Sequence, residues 1–179
     1  MFLCKCVSND EVMSFKDYFP LISSAIVILI FIFDRVLGYK IRKKELNRNW
    51  YFKVLLEPKL ESIDAFFVDV EKNIKSSIKD LKKIDFDNDK ENYISSQLNH
   101  IDNFKELKRK FELEVLKPIL SRYTKINIEL IEVINRIEND FTTEIDSLLI
   151  KDFDIIEFTK KLYENKAILL DVLYKPLNH

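Results

Sequence analysis

The chain has 179 residues, a formal net charge of -1, one Gly, four Pro, two Cys and two His. Sheet proteins need turn residues with special dihedrals. A single Gly therefore speaks against an all-β or α/β domain and against Gly-rich phosphate-binding loops. The charge is unevenly placed, and residues 49–179 are mildly acidic on balance, which argues against nucleic acid as a partner.

Residues 1–17 read as a short tail carrying Cys4 and Cys6. Two cysteines make neither a disulfide framework nor a four-ligand zinc site. Mobile thiols, palmitoylation and an intermolecular disulfide are the readings open to them. From Tyr18 to Phe33 there is no charged residue. Those 16 residues cover roughly 24 Å as a helix, and extension to Leu37 reaches the ~30 Å hydrocarbon thickness. Asp34 and Arg35 then fall in the last turns, where both can reach toward headgroups. Tyr18, Phe19 and Tyr39 suit the two interfaces, and Pro20 suits a first turn.

A cleaved signal peptide needs a basic N-terminal region, and residues 1–17 are acidic on balance. A buried core helix is not apolar on every face. Residues 18–37 are therefore expected to be an uncleaved single-pass anchor. Two Lys precede it, and Arg35, Lys40, Arg42, Lys43, Lys44 and Arg48 follow. The positive-inside rule puts the N-terminus outside and the C-terminal domain in the cytoplasm, at the inner membrane. Plentiful Ile, Lys and Asn with scarce Ala suit an AT-rich bacterial genome.

The same six bases are the candidate contacts to anionic lipid. Gly38 is a candidate hinge where the helix leaves the bilayer. Residues 38–57 form a basic and aromatic juxtamembrane helix. Its Trp50, Tyr51 and Phe52 are expected to pack on the domain that follows rather than dip into the interface.

Residues 58–179 are expected to be an antiparallel helical bundle with coiled-coil-like stripes, so the fold class is all-α. Glu57-Pro58 marks its start. Leu60, Ile63, Phe67, Val70, Ile74, Ile78, Leu81 and Ile84 recur at spacings of three and four, widened by Phe66. "DFDNDKEN" at 85–92 invites an EF-hand reading, but Lys90 stands where Gly belongs and Ser96 where the bidentate Glu belongs. It reads instead as a turn with an N-cap at Asp87 or Asp89.

A helix from near Glu91 carries Ile94, Leu98, Ile101, Phe104, Leu107, Phe111 and Val115. Beyond Pro118 the stripe resumes with Ile119, Tyr123, Ile126, Leu130, Ile134, Ile137, Phe141, Ile145 and Leu148. No turn residues flank Pro118, so a kink in one very long helix is expected, with part of its stripe left for a partner chain. A last helix runs from Asp154 to Tyr174, with Pro176 as its stop. Phe66, Phe67, Phe104, Phe111 and Tyr123 join Trp50, Tyr51 and Phe52 as candidate packing or interface residues.

No catalytic, cofactor or metal site is indicated. His100 and His179 lack companion motifs, and the Glu-x-x-His pairs of di-iron bundles are missing. "KELKRKFE", residues 105–112, reads as a solvated face. The expected role is non-enzymatic. A membrane-anchored helical protein would tether, assemble or relay a signal to a protein partner or to itself as a homo-oligomer. The alternative is a membrane-perturbing effector, toxin-like or of the phage-defence kind, acting through oligomerisation.

Overall fold

The computed structural model describes the backbone of residues 15–178 and the side chains of residues 19–177. Cys4, Cys6, His179 and most of the expected tail lie outside the described residues. Every regular element among the described residues is helical. The chain divides into two compact units, one up to Asn47 and one from Arg48 onward.

The first unit is built on helix α1, Phe15–Trp50. It starts earlier than the hydropathy pattern suggests, so Pro20 lies inside the helix and not in its first turn. Its missing N–H removes one backbone bond. The Ser23 and Ser24 hydroxyls donate to the Pro20 carbonyl at 2.9 and 2.7 Å, closing their own polar groups within the helix. An 18-residue window near the start of this helix has a mean hydropathy of 2.2, and none of it is buried. Leu29 and Phe31 are 64 and 67% exposed. A helix that is apolar all round and lies outside any core is long and apolar enough to cross a membrane.

The second unit holds the core. A π-helical turn, Tyr51–Leu56, leads into α2, Glu57–Leu81. After a turn come α3, Lys90–Phe111, a second π turn, Glu112–Leu116, and α4, Lys117–Leu120. A short 3-10 turn, Thr124–Ile126, precedes α5, Asn127–Ser147, and α6 is Ile155–Asn178. Two aspartates start helices as caps. Asp89 accepts from the Asn92 N–H at 3.4 Å, and Asp154 accepts from Ile156 and Glu157 at 2.9 and 3.1 Å. The acidic 85–92 stretch is thus a turn: Asp85 accepts from the Asp87 N–H at 3.1 Å.

Neighbouring helices meet in opposite chain order. Phe66 of α2 stacks on Phe111 of α3 at 4.1 Å, while Phe86 and Tyr93 meet at the turn between them. Gln97 and Lys108 of α3 reach Asp146 and Glu138 of α5. Asp140 and Glu129 of α5 reach Asn165 and Lys175 of α6. Asp64 and Glu71 of α2 reach Lys166 and Tyr163 of α6. The stripes read from sequence are mostly used up inside this unit: Ile63, Phe67, Val70, Ile74, Leu130, Ile134, Phe141, Ile145, Leu169 and Leu173 are all buried.

Four expectations are corrected. Pro118 does not kink one long helix. The chain leaves the helix after Leu120, with Tyr123 at φ -127°, ψ 69°, and α5 folds back on α3. Backbone bonds from Arg122 and Tyr123 to the Ile119 carbonyl and the Ser121 hydroxyl bond to the Pro118 carbonyl close that end. Pro58 does not break its helix either. Pro176 lies inside α6, which continues to Asn178. In the first half of α3, Tyr93 takes the buried position, leaving Ile94 and Leu98 exposed.

Both π turns have the same cause. A proline ring clashes with the carbonyl four residues back and gives it no donor. For Pro58 and Pro118 those carbonyls belong to Val54 and Glu114, inside the two π turns. The residue before each proline bonds one position further back, Glu57 to Phe52 and Lys117 to Glu112. Widening the turn keeps the helix continuous past the ring.

Candidate functional site

On α1, Arg35, Lys40, Arg42, Lys43, Lys44 and Arg48 are all exposed. At about 100° per residue they are spread around most of the helix circumference, and Asp34 and Glu45 fill the remaining sector. A helix lying flat in an interface needs separate apolar and polar faces. A charged collar on all sides suits a helix that passes through a headgroup layer. Gly38 lies within the helix, and a Cβ there would meet nothing within 4 Å.

The start of the second unit carries an aromatic cluster. Tyr51 is fully buried, and its hydroxyl donates to the Leu173 carbonyl of α6 at 2.6 Å. The ring of Tyr123 meets it edge-on at 4.5 Å. Burial pushes the Tyr51 hydroxyl well above the ordinary phenol range, with Tyr123 and Tyr174 adding to it. It stays a neutral donor, and its hydrogen-bond partner among the described residues is a backbone carbonyl. Phe52 lies 6.3 Å from Tyr174, and the Arg122 guanidinium sits 5.4 Å over the ring of Trp50. Tyr51, Phe66, Phe67, Phe104 and Phe111 are core residues; Phe52 and Tyr123 are half-buried, and Trp50 is 40% exposed.

Beside this cluster an open apolar cavity of about 620 Å³ is lined by Leu113, Leu116, Leu120, Ile131 and Ile134, with Glu112 and Lys117 at its rim. Leu113 and Ile131, which lie outside the stripes read from sequence, are 49 and 45% exposed, so this groove is an exposed apolar surface beside the core.

Polar groups elsewhere are engaged structurally. Lys108, on the face read as solvated, is half-buried and bridges α3 to Glu138 and Asn135 of α5 at 2.5 and 3.1 Å. Burial raises the Asp140 carboxyl above its usual range, against the lowering effect of Lys161 and of the bond from buried Asn165. His100 is half-buried, and the Asp80 carboxyl is lowered chiefly by its bond from Lys83. Among the described residues no three His, Cys, Asp or Glu come together as a metal-binding group.

Sequence reasoning located the collar and the aromatic triplet. It missed Arg122 over Trp50, the Tyr51 bond to Leu173 and the groove, because each joins residues far apart in the chain. No family model matches the sequence, and the searches of curated proteins and of solved structures returned no match.

Proposed function

We propose that the chain is a single-pass inner-membrane protein. Its C-terminal helices form an antiparallel bundle in the cytoplasm that holds a protein partner, or a second copy of itself, at the bilayer. The observation that carries the reading is the apolar window of α1, none of which is buried among the described residues, joined to a unit with a core of its own. The collar of Arg35 to Arg48 supports the orientation through the positive-inside rule and gives the helix a headgroup layer to cross. The groove at Leu113 and Ile131 is the exposed apolar surface suited to the partner. Its role is to tether or assemble.

Amine-reactive crosslinking in intact membranes, followed by mass spectrometry, tests this. Lys117 at the groove rim is expected to crosslink to another chain. Crosslinks confined to pairs within one chain, such as Lys108 to the neighbouring helices, would remove the basis for a partner-binding role.

A further inference from the structure

The helical unit is electrically polarised from end to end. Its turn end, residues 82–91 and 148–154, holds Asp85, Asp87, Asp89, Glu91, Asp152 and Asp154. Three of the four lysines there are paired: Lys82 faces Asp152 at 3.8 Å, Lys83 faces Asp80 at 2.8 Å and Lys151 faces Glu144 at 3.2 Å, while Lys90 lies 5.6 Å over the Phe86 ring. The opposite end is formed where residues 48–56 and 115–126 pack together through Tyr51 and Tyr123. Neither segment contains an acidic residue. They bring five bases to one end: Arg48, Lys53, Lys117, Arg122 and Lys125, all exposed. Among the described residues none of the five forms an ion pair, although most other lysines of the unit do. Trp50 and Val54, 40 and 52% exposed, sit among them.

We infer that this basic, aromatic end is a docking surface for anionic lipid headgroups, sharing Arg48 with the collar on α1 and otherwise distinct from it. The inference rests on the membrane-anchored reading. Exposed bases that form no ion pair match a layer of lipid phosphates, and an indole with an exposed aliphatic neighbour matches the interface beneath it. Glu57, Glu112 and Glu114 flank the two segments, and the five bases outnumber them. Chain length keeps the surface within reach: Arg48 follows Leu37 by eleven residues, at most ~38 Å even fully extended. Gly38, the only glycine, lies in that connection. Lys117 and Lys125 are more than sixty residues beyond Trp50, and only the fold makes them part of the same surface.

Trp50 is the only tryptophan and reports directly on this surface. The full chain is reconstituted into phosphatidylcholine vesicles and into vesicles with about a third phosphatidylglycerol, each with and without bromine-labelled lipid. Flotation after carbonate washing reports the anchor separately. The expected result is that Trp50 quenching is at least twofold greater in the anionic vesicles. K117E/K125E, which leaves Arg122 over Trp50, should bring it down to the zwitterionic level, and K117Q/K125Q should fall between. Normal flotation with equal quenching in both lipids, or quenching unchanged in K117E/K125E, overturns the docking surface while leaving the anchor standing. Protection of Trp50 by an added RNA oligonucleotide in place of lipid overturns it as well. Failure to float overturns the anchored reading on which it rests.

Discussion

Replacing Phe141 by alanine is expected to cost the helical unit about 3–5 kcal/mol, a large part of a typical domain's stability. Phe141 is fully buried and stacks on Phe104 at 4.4 Å, so truncation removes the transfer energy of a ring and leaves a cavity between α3 and α5. The pair exists only because the chain turns back after Leu120. In one long helix through Pro118 the two rings would lie far apart, and the substitution would trim a surface stripe. Urea unfolding of the detergent-solubilised full chain, followed by circular dichroism, measures the difference. A loss under about 1 kcal/mol would show that α5 does not pack on α3.

The second large effect concerns the apolar window of α1. Arg at both Ile26 and Leu29 is expected to cost roughly 5–7 kcal/mol of membrane insertion, about 2.5–3.5 for each charge near the middle of the span. At about 1.4 kcal/mol per factor of ten, that is a shift of roughly four to five orders of magnitude in the partition. Both side chains are more than half exposed and touch no core, so the same change does nothing to the packing of the helical unit. Carbonate extraction separates the outcomes. The variant is expected in the soluble fraction with its circular dichroism spectrum retained. Full retention in the membrane pellet would mean that the window does not hold the protein there.

Much of the architecture was legible because the core stripes keep their period. Ile63, Phe67, Val70 and Ile74 follow the spacing of three and four, and all four are buried. The Asp89 cap was legible as well, since a short acidic side chain before a periodic run has one common use. The fold-back after Leu120 was not. Ser121 is the only usual turn residue among Ser121, Arg122 and Tyr123, and a lone Ser is a weak signal; the turn is held by its bond to Pro118 and by backbone bonds to Ile119. The shift in α3 had a similar origin. Tyr93 takes the inward position because Phe86 lies 5.3 Å away across the turn, a contact that periodicity does not encode.

The candidate surfaces divided along the same line. The collar is contiguous in sequence, from Arg35 to Arg48, and could be read directly. The groove at Leu113 and Ile131 and the basic end at Lys117, Arg122 and Lys125 exist only once α4 and the following turn are set against their neighbours. The long stripes first suggested an absent partner chain. Most of each stripe is buried within the unit, which leaves Ile94 and Leu98 and the groove at Leu113 and Ile131 as exposed apolar positions.

The two cysteines give the most direct test of the membrane-anchored reading. Cys4 and Cys6 are the only thiols, and they precede the apolar window. An impermeant maleimide applied to intact spheroplasts is expected to label the protein, with little increase after permeabilisation. Labelling that appears only once the membrane is opened, or a protein recovered in the soluble fraction, would contradict an anchor with its N-terminus outside.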